Sequence, residues 1–127
     1  MNFQEWLAEV PLAITHDALW QMRVYQVFLF LGDLAWSDSR KLIQDQILIA
    51  LADQLYRATG SISANIGEGY SRASNKDQAR FYEYALGSAR ESRDWYFKGR
   101  HVLGSTVTNH RMSLLVDIIR QLLVMIP

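Results

Sequence analysis

Apolar residues recur at intervals of three and four along four long segments of this chain, with polar residues between them. This spacing is typical of helices that bury one face, and no segment shows the period-two alternation of a strand. The pattern therefore predicts an all-α fold, an antiparallel up-down-up-down four-helix bundle with a short extra N-terminal helix. The first segment has its apolar stripe at Trp20, Val24, Val27, Leu31 and Leu34.

Caps and loop-forming residues predict the bounds of the first two long helices. Asp17 is an acceptable N-cap, so the first helix is expected to run from about Asp17 to about Trp36. The polar run Ser37-Asp38-Ser39 is predicted to be the loop that follows it. The second helix is then expected to continue from this loop to around Tyr70.

The same signals place the third and fourth helices. Ser74 is followed three residues later by Asp77, which is the Ser-x-x-acid form of a helix start. The third helix is predicted to reach about Leu103 and to end at Gly104, because glycine is the commonest residue just beyond a helix. The fourth helix is then expected to be capped by Thr108 or Asn109.

Residues 1–15 are predicted to form an N-terminal extension, and residues 16–127 the bundle domain. Phe3, Trp6, Leu7 and Val10 fall on one side of a short helix that Pro11 stops. We favour packing of this helix on the bundle over a free arm that seeks a partner. The start of the chain lacks the basic residues of a signal peptide, and its apolar runs are too short to span a bilayer. We therefore expect a soluble, cytoplasmic protein with no membrane partner.

The first long helix carries a second apolar stripe on its opposite side. A surface helix of a monomer needs only one apolar face, so two faces indicate burial on both sides. We predict that the second face is an interface between copies of the chain in a homo-oligomer. The alternative is that the N-terminal helix covers it. The predicted interface residues are Met22, Tyr25, Leu29 and Trp36.

Charge is balanced overall but unevenly distributed. Residues 1–56 hold three bases and seven acids, a net charge of −4, whereas residues 57–127 hold ten bases and six acids, a net charge of +4. The second half therefore offers candidate contacts to the phosphates of a nucleic acid. Interleaved acids favour an ordinary solvated surface for any single base. The candidates are Arg72, Lys76, Arg80, Arg90, Arg93, Lys98 and Arg100, with Tyr82, Tyr84, Tyr96 and Phe97 as rings that either stack on bases or belong to the core.

Catalytic and metal-binding patterns are not found in the sequence. The chain has no cysteine, which excludes disulfides and thiolate chemistry. The three histidines, His16, His101 and His110, lack the spacing of metal ligands. Neither a cofactor nor a metal is expected, and an enzyme is the least favoured class of function.

A polar cluster is predicted between the second and third helices. Antiparallel packing about the corner near Arg72 brings Ser61 level with Ser88, and it brings Arg57 close to the level of Glu91, so that these two can pair across the gap. Glu68 pairs with Arg72 four residues on. The favoured interpretation is structural, since these groups fix the register of the two helices. The alternative is that Glu68 and Glu91 act as acid and base or bind a ligand. The cluster comprises Arg57, Ser61, Asn65, Glu68, Gly87, Ser88 and Glu91.

These residues carry a family resemblance. The string SISANIGEGYSR, followed by FYEYALGSARES, resembles a family of small four-helix-bundle proteins that includes the ribosomal-RNA intervening-sequence proteins and the accessory protein of diversity-generating retroelements. The resemblance extends from about Asp17 to Ile126. It implies an up-down-up-down bundle, often assembled as a ring of five subunits. In the retroelement branch the ring is basic, binds nucleic acid and associates with a reverse transcriptase, and the zero net charge of this chain departs from that branch.

The combined expectation is a non-enzymatic homo-oligomer that binds RNA or a nucleoprotein partner such as a reverse transcriptase. The resemblance implies a ring-shaped homopentamer. The alternative is a protein-interaction scaffold that binds no nucleic acid.

Overall fold

The computed structural model describes residues 1–126, which contain six α-helices and no strand. Two short N-terminal helices precede four long ones, and short 3₁₀ turns lie at Ala18–Gln21 and Gln46–Leu48. The predicted all-α fold is confirmed. The helices are α1 (Phe3–Glu9), α2 (Leu12–Thr15), α3 (Arg23–Leu42), α4 (Ile49–Tyr70), α5 (Asn75–Lys98) and α6 (Arg100–Met125).

The helices α3 to α6 form a bundle around one apolar core. Each packs against the next one in the chain, and α3 also packs against α6, which closes the bundle. All four helices contribute side chains to the core, because each presents an apolar stripe at helical spacing. Fully buried examples are Phe28, Leu31, Leu55, Ile62, Tyr96, Leu115, Ile118 and Leu122.

The helices α4 and α5 run antiparallel and lie close together. Contacts pair Ser61 with Ser88 near their centres and Gly69 with Tyr82 nearer the corner, so residue numbers rise along one helix as they fall along the other. Ser74 caps the start of α5 by accepting a hydrogen bond from the backbone N–H of Asp77 at 3.1 Å, as predicted. The end of α4 at Tyr70 also agrees with the prediction.

The predicted bounds of the first long helix were wrong at both ends. Asp17 caps the 3₁₀ turn instead, by accepting from the backbone N–H of Leu19 at 3.1 Å, and α3 begins six residues later at Arg23. Ser37-Asp38-Ser39 is not a loop but an internal turn of α3, and the link to α4 lies at residues 43–48. The reason is tertiary: Asp38 is buried in a polar cluster, and Leu42 beyond it is fully buried in the core.

The predicted boundary between the third and fourth helices was also misplaced. α5 ends at Lys98, where the backbone N–H of Gly99 closes the last turn on Trp95, and α6 starts at Arg100. Gly104 has a φ of 84°, which bends α6 sharply within its first turns. The predicted break at Gly104 therefore exists, but one helical turn lies before it. Thr108 is not a cap; it is buried inside α6.

The N-terminal arm, residues 1–21, packs on α3. The ring centroid of Trp6 lies 5.4 Å from that of Phe30 and 6.2 Å from that of Trp20. The indole N–H of Trp6 donates to a carboxylate oxygen of Asp33 at 2.7 Å. Phe3 also contacts Phe30, with centroids 5.3 Å apart. The arm thus covers Phe30 on the outer side of α3, as favoured from the sequence.

Within the part of the chain that the structure describes, none of the helices has both the length and the apolar character needed to cross a bilayer.

Candidate functional site

The centre of the polar cluster is a hydrogen-bonded contact between α4 and α5. The hydroxyls of Ser61 and Ser88 lie 2.9 Å apart, which confirms that these residues are level. The side-chain amide of Asn65 donates to both the carbonyl and the hydroxyl of Ser61 at 2.9 Å. These directed bonds fix the register of the two helices here. Gly87 is exposed, and a Cβ atom placed on it would meet no neighbouring helix within 4 Å, so it takes no part in the contact. The structural role favoured from the sequence stays a prediction, and the bonds of Ser61, Asn65 and Ser88 agree with it.

The charged members of the cluster do not meet across the two helices. Arg57 pairs with Asp53 at 3.1 Å on its own helix, and the predicted pair with Glu91 was wrong. Glu91 instead accepts a hydrogen bond from the indole of Trp95 at 3.2 Å. Both ion-pair side chains at Arg57 and Asp53 are largely exposed, and a partner one turn away on the same helix is always within reach.

Glu68 pairs with Arg72 at 2.5 Å, as predicted. Glu68 and Glu91 are both exposed, and each makes its contact one turn along its own helix. They do not share a pocket or a hydrogen bond in the described structure. The arrangement therefore gives no support to an acid–base pair at this site.

The predicted phosphate contacts lie on α5 or at its two ends, and we call this set the α5 basic face. Arg72 precedes α5, and Arg100 is the first residue of α6. Between Arg72 and Arg100 the chain has seven bases and four acids, a net charge of +3. Arg93 and Arg100 are partly buried and the other five bases are exposed. Lys98 pairs with Asp94 at 2.8 Å. The α5 basic face comprises Arg72, Lys76, Arg80, Arg90, Arg93, Lys98 and Arg100.

The structure separates the four candidate stacking rings into two groups. Tyr82 and Tyr96 are buried in the core, with 5% and 0% of their surface exposed. Tyr84 and Phe97 are each 50% exposed and lie on the outer side of α5. Only these two of the four rings are therefore accessible to a nucleobase.

The predicted oligomer-interface residues occupy two different environments. Met22 and Tyr25 are partly buried and pack against the core. Leu29 and Trp36 line a groove of about 950 Å³ between the N-terminal arm, α3 and α6. Trp36 is 50% exposed, with the guanidinium of Arg40 4.9 Å from its ring centroid. The bundle core thus covers part of the second apolar face of α3, and the rest lines the open groove.

Sequence reasoning missed a buried polar cluster beneath this groove. Arg111 of α6 donates two hydrogen bonds to the carboxylate of Asp38 in α3, at 2.8 and 3.1 Å. The hydroxyl of Tyr96 in α5 donates to the same carboxylate at 2.7 Å. The signal was present, because Asp38 lies four residues after Leu34 and continues the apolar stripe of α3. Ser37 and Ser39, on either side of Asp38, led instead to the prediction of a loop.

Burial and charge shift the ionisation of this cluster. Burial raises the pKa of Tyr96 well above 10.0, and the carboxylate of Asp38 raises it further. Burial would lower the pKa of Arg111, but the hydrogen bond and charge of Asp38 raise it overall. Next to Arg111, burial and the adjacent guanidinium lower the pKa of His110. The three helices α3, α5 and α6 are therefore tied together by one ionised pair and one neutral tyrosine.

We expect the stability of the protein to fall as the pH rises above 10.0, the ordinary pKa of tyrosine. The folded state keeps Tyr96 protonated while the unfolded state ionises it, so its contribution is complete below pH 10.0 and is lost toward the folded pKa. One such group gives a slope of about 1.4 kcal/mol per pH unit. Urea unfolding at several pH values measures this slope, and Tyr96→Phe should reduce it. An unchanged slope in that variant contradicts the assignment.

In residues 1–126 no group of three or more His, Asp or Glu side chains is placed to hold a metal ion.

The chain matches the family model described as 23S rRNA-intervening sequence protein over residues 21–124. This range contains α3 to α6 almost entirely and excludes α1 and α2. No curated protein and no solved structure matches the chain. The matched range covers most of the chain, and the protein therefore belongs to the 23S rRNA-intervening sequence protein family.

Proposed function

We propose that this protein is a non-enzymatic homo-oligomer that binds RNA, free or within a nucleoprotein, through the α5 basic face. The observation that carries this proposal is the composition of that face, where exposed cations alternate with two half-exposed aromatic rings. Phosphates supply most of the affinity of nucleic acids for proteins, and they require accessible cations. The family to which the chain belongs agrees with a role connected with RNA, since its description names a ribosomal-RNA element.

Several cations of the face are free to bind phosphate. Lys76, Arg80 and Arg90 are exposed, and none forms an ion pair within residues 1–126. An unpaired cation exchanges only water and counterions for a phosphate, whereas a paired one must first leave its carboxylate. We therefore assign the strongest phosphate contacts to these three residues, and weaker ones to Arg72 and Lys98.

Assembly would make up for the modest charge of a single face. A net charge of +3 on one copy is small, but several linked copies present the face repeatedly, and their binding events then reinforce one another. The open part of the groove, with Leu29 and Trp36, is the surface on which we place the contact between copies. A ring of five copies is the assembly that the family resemblance suggests.

The test is a solution mass measurement followed by titration of a hairpin RNA at about 50 and 200 mM salt. We expect an oligomer whose affinity for the RNA falls with salt. In Lys76→Gln/Arg90→Gln the affinity should drop and the slope of log K against log salt should decrease by about two. The control Lys41→Gln/Arg120→Gln removes two exposed cations of α3 and α6 and should retain the wild-type slope. Equal effects of the two double variants would contradict the assignment to α5.

A protein-interaction scaffold is the second candidate function. The groove favours it, because Trp6, Phe30 and Trp36 line it together with polar residues such as Asp33 and Arg111. Clefts that combine aromatic walls with placed polar groups are typical binding sites. Isolated aliphatic side chains are also exposed at the ends of the bundle, with Ile47 at 87% and Val124 at 86%. An oligomer that binds no RNA at either salt concentration would favour the scaffold over the proposed function.

A further inference from the structure

The two exposed rings of the α5 basic face lie at different levels of the helix. Tyr84 is in the third turn of α5, and Phe97 is in the last turn. Thirteen residues separate them along the sequence, which corresponds to about 20 Å along the helix axis. Arg90 lies between them in sequence. At about 100° per residue the two rings lie roughly 140° apart around the helix axis, on the two sides of the exposed surface of α5. A strand that contacts both rings therefore crosses this surface obliquely and passes Arg90.

Two guanidiniums lie on Phe81, the ring that packs against Tyr84. The ring of Phe81 meets Tyr84 edge to face, with centroids 5.6 Å apart and planes at 90°. The guanidiniums of Arg72 and Arg80 lie 4.7 and 5.4 Å from the centroid of Phe81. An edge-to-face contact leaves much of a ring uncovered, in agreement with the 50% exposure of Tyr84.

At the other end, the guanidinium of Arg100 lies 3.9 Å from the ring centroid of Phe97. Arg100 is held there by a hydrogen bond to the carbonyl of Phe97 at 2.9 Å. A guanidinium covers one side of a phenyl ring, and the ring nevertheless remains 50% exposed. A positioned cation beside an accessible ring is the combination that holds a nucleobase and its phosphate together.

The balance of charge and aromatic surface distinguishes between two forms of RNA. A duplex offers this face mainly its phosphates, because its bases are stacked inside. Four acids lie among the seven bases, so phosphate contacts alone are opposed by repulsion. A single strand offers its bases as well, and each base can stack on an aromatic ring whatever its identity. The exposed rings would contribute nothing to binding of a duplex.

We infer that the ligand of the α5 basic face is single-stranded RNA, with unpaired bases stacked on Tyr84 and Phe97. This inference rests on the proposed function, because it specifies which RNA the same face binds. A phosphate between the two stacked bases contacts Arg90, and Arg80, one turn before Tyr84, contacts a phosphate beyond the first base. Binding is tolerant of sequence, because stacking does not read the edges of the bases.

The experiment measures the affinity of the full-length protein for three RNA probes of about 16 nucleotides. These are oligoadenylate, the same strand paired with oligouridylate, and a strand of equal length that lacks its bases. We expect oligoadenylate to bind at least about tenfold more tightly than the other two probes. Tyr84→Leu and Phe97→Leu should each lower the affinity for oligoadenylate by about tenfold and leave the affinity for the duplex unchanged.

One further variant keeps the test specific. Tyr56→Leu removes a ring of α4 that is 48% exposed and lies outside the α5 basic face, and it should bind as the wild type does. Equal affinity for the single strand and the strand without bases would overturn the inference and leave RNA binding intact. Binding of none of the three probes would overturn the proposed function itself.

Discussion

Arg111→Ala is expected to lower the free energy of unfolding by about 3–5 kcal/mol, the largest effect of any charge removal in the molecule. The side chain of Asp38 is 7% exposed and that of Arg111 is 13% exposed, so the pair is shielded from water. Without the guanidinium, the carboxylate of Asp38 remains buried with only the hydroxyl of Tyr96 as a donor. Urea unfolding monitored by circular dichroism measures the change. The free energy of unfolding of a domain of this size is only about 5–15 kcal/mol, so the substitution is expected to remove a large fraction of it.

Two companion variants make this prediction specific. Arg57→Ala removes an arginine that also pairs with an aspartate, but the side chain is 76% exposed. We expect a loss of less than about 1 kcal/mol there, because exposed pairs contribute little. Asp38→Asn/Arg111→Met removes both buried charges and should be more stable than Arg111→Ala alone. Similar losses for Arg57→Ala and Arg111→Ala would show that burial of the pair is not what matters.

Gly69→Ala is expected to destabilise the protein by about 1–3 kcal/mol, although alanine is the better helix former. A Cβ atom at this position would lie 2.7 Å from Cε1 of Tyr82 and 3.1 Å from the carbonyl oxygen of Gln78. The second contact is with backbone, so α4 and α5 would have to move apart. Tyr82 is buried and has little room to turn away. The same unfolding measurement tests this expectation.

The matched control is Gly60→Ala on the same helix. No atom lies within 4 Å of a Cβ placed at Gly60. Alanine there should stabilise the protein by up to about 1 kcal/mol, because it restricts the unfolded chain and favours the helix. The two substitutions are chemically identical and are predicted to change the free energy of unfolding in opposite directions. Stabilisation by both would indicate that α4 and α5 are not held together at the corner as the structure describes.

The same local geometry explains why the corner of α4 and α5 was predictable from the sequence. Ser74 and Asp77 form a cap by themselves, and Glu68 reaches Arg72 within one turn of helix. Such contacts depend on residues three or four apart and on little else. Counting residues outward from this corner along both helices predicted that Ser61 and Ser88 lie opposite each other. The structure confirms this, since their hydroxyl oxygens are 2.9 Å apart.

The errors in the candidate sites arose where a side chain had two candidate partners, one near in the sequence and one distant. Counting from the corner placed Arg57 near Glu91, but Asp53 one turn away supplied a carboxylate with no loss of solvation. For Asp38 the distant partner is the one that the structure shows. A serine–aspartate–serine run predicts a loop by local preference, yet Arg111, which lies 73 residues further along, holds Asp38 inside a helix. The residues next to Arg57 and Asp38 in the sequence do not show whether a near or a distant partner is the more favourable one.

The sequence by itself determined the helical class, the apolar stripes, the caps of the α4–α5 corner and the family motif, because each depends on neighbours within a few residues. Only the tertiary structure decided where α3 and α5 end, which rings of α5 are exposed and how Asp38, Tyr96 and Arg111 meet. The physical reason is that burial and desolvation depend on residues distant in the chain. Tyr82 and Tyr84 differ in exposure from 5% to 50% although they are two positions apart. Packing against α4 and the rest of the bundle makes one of them core and leaves the other on the surface.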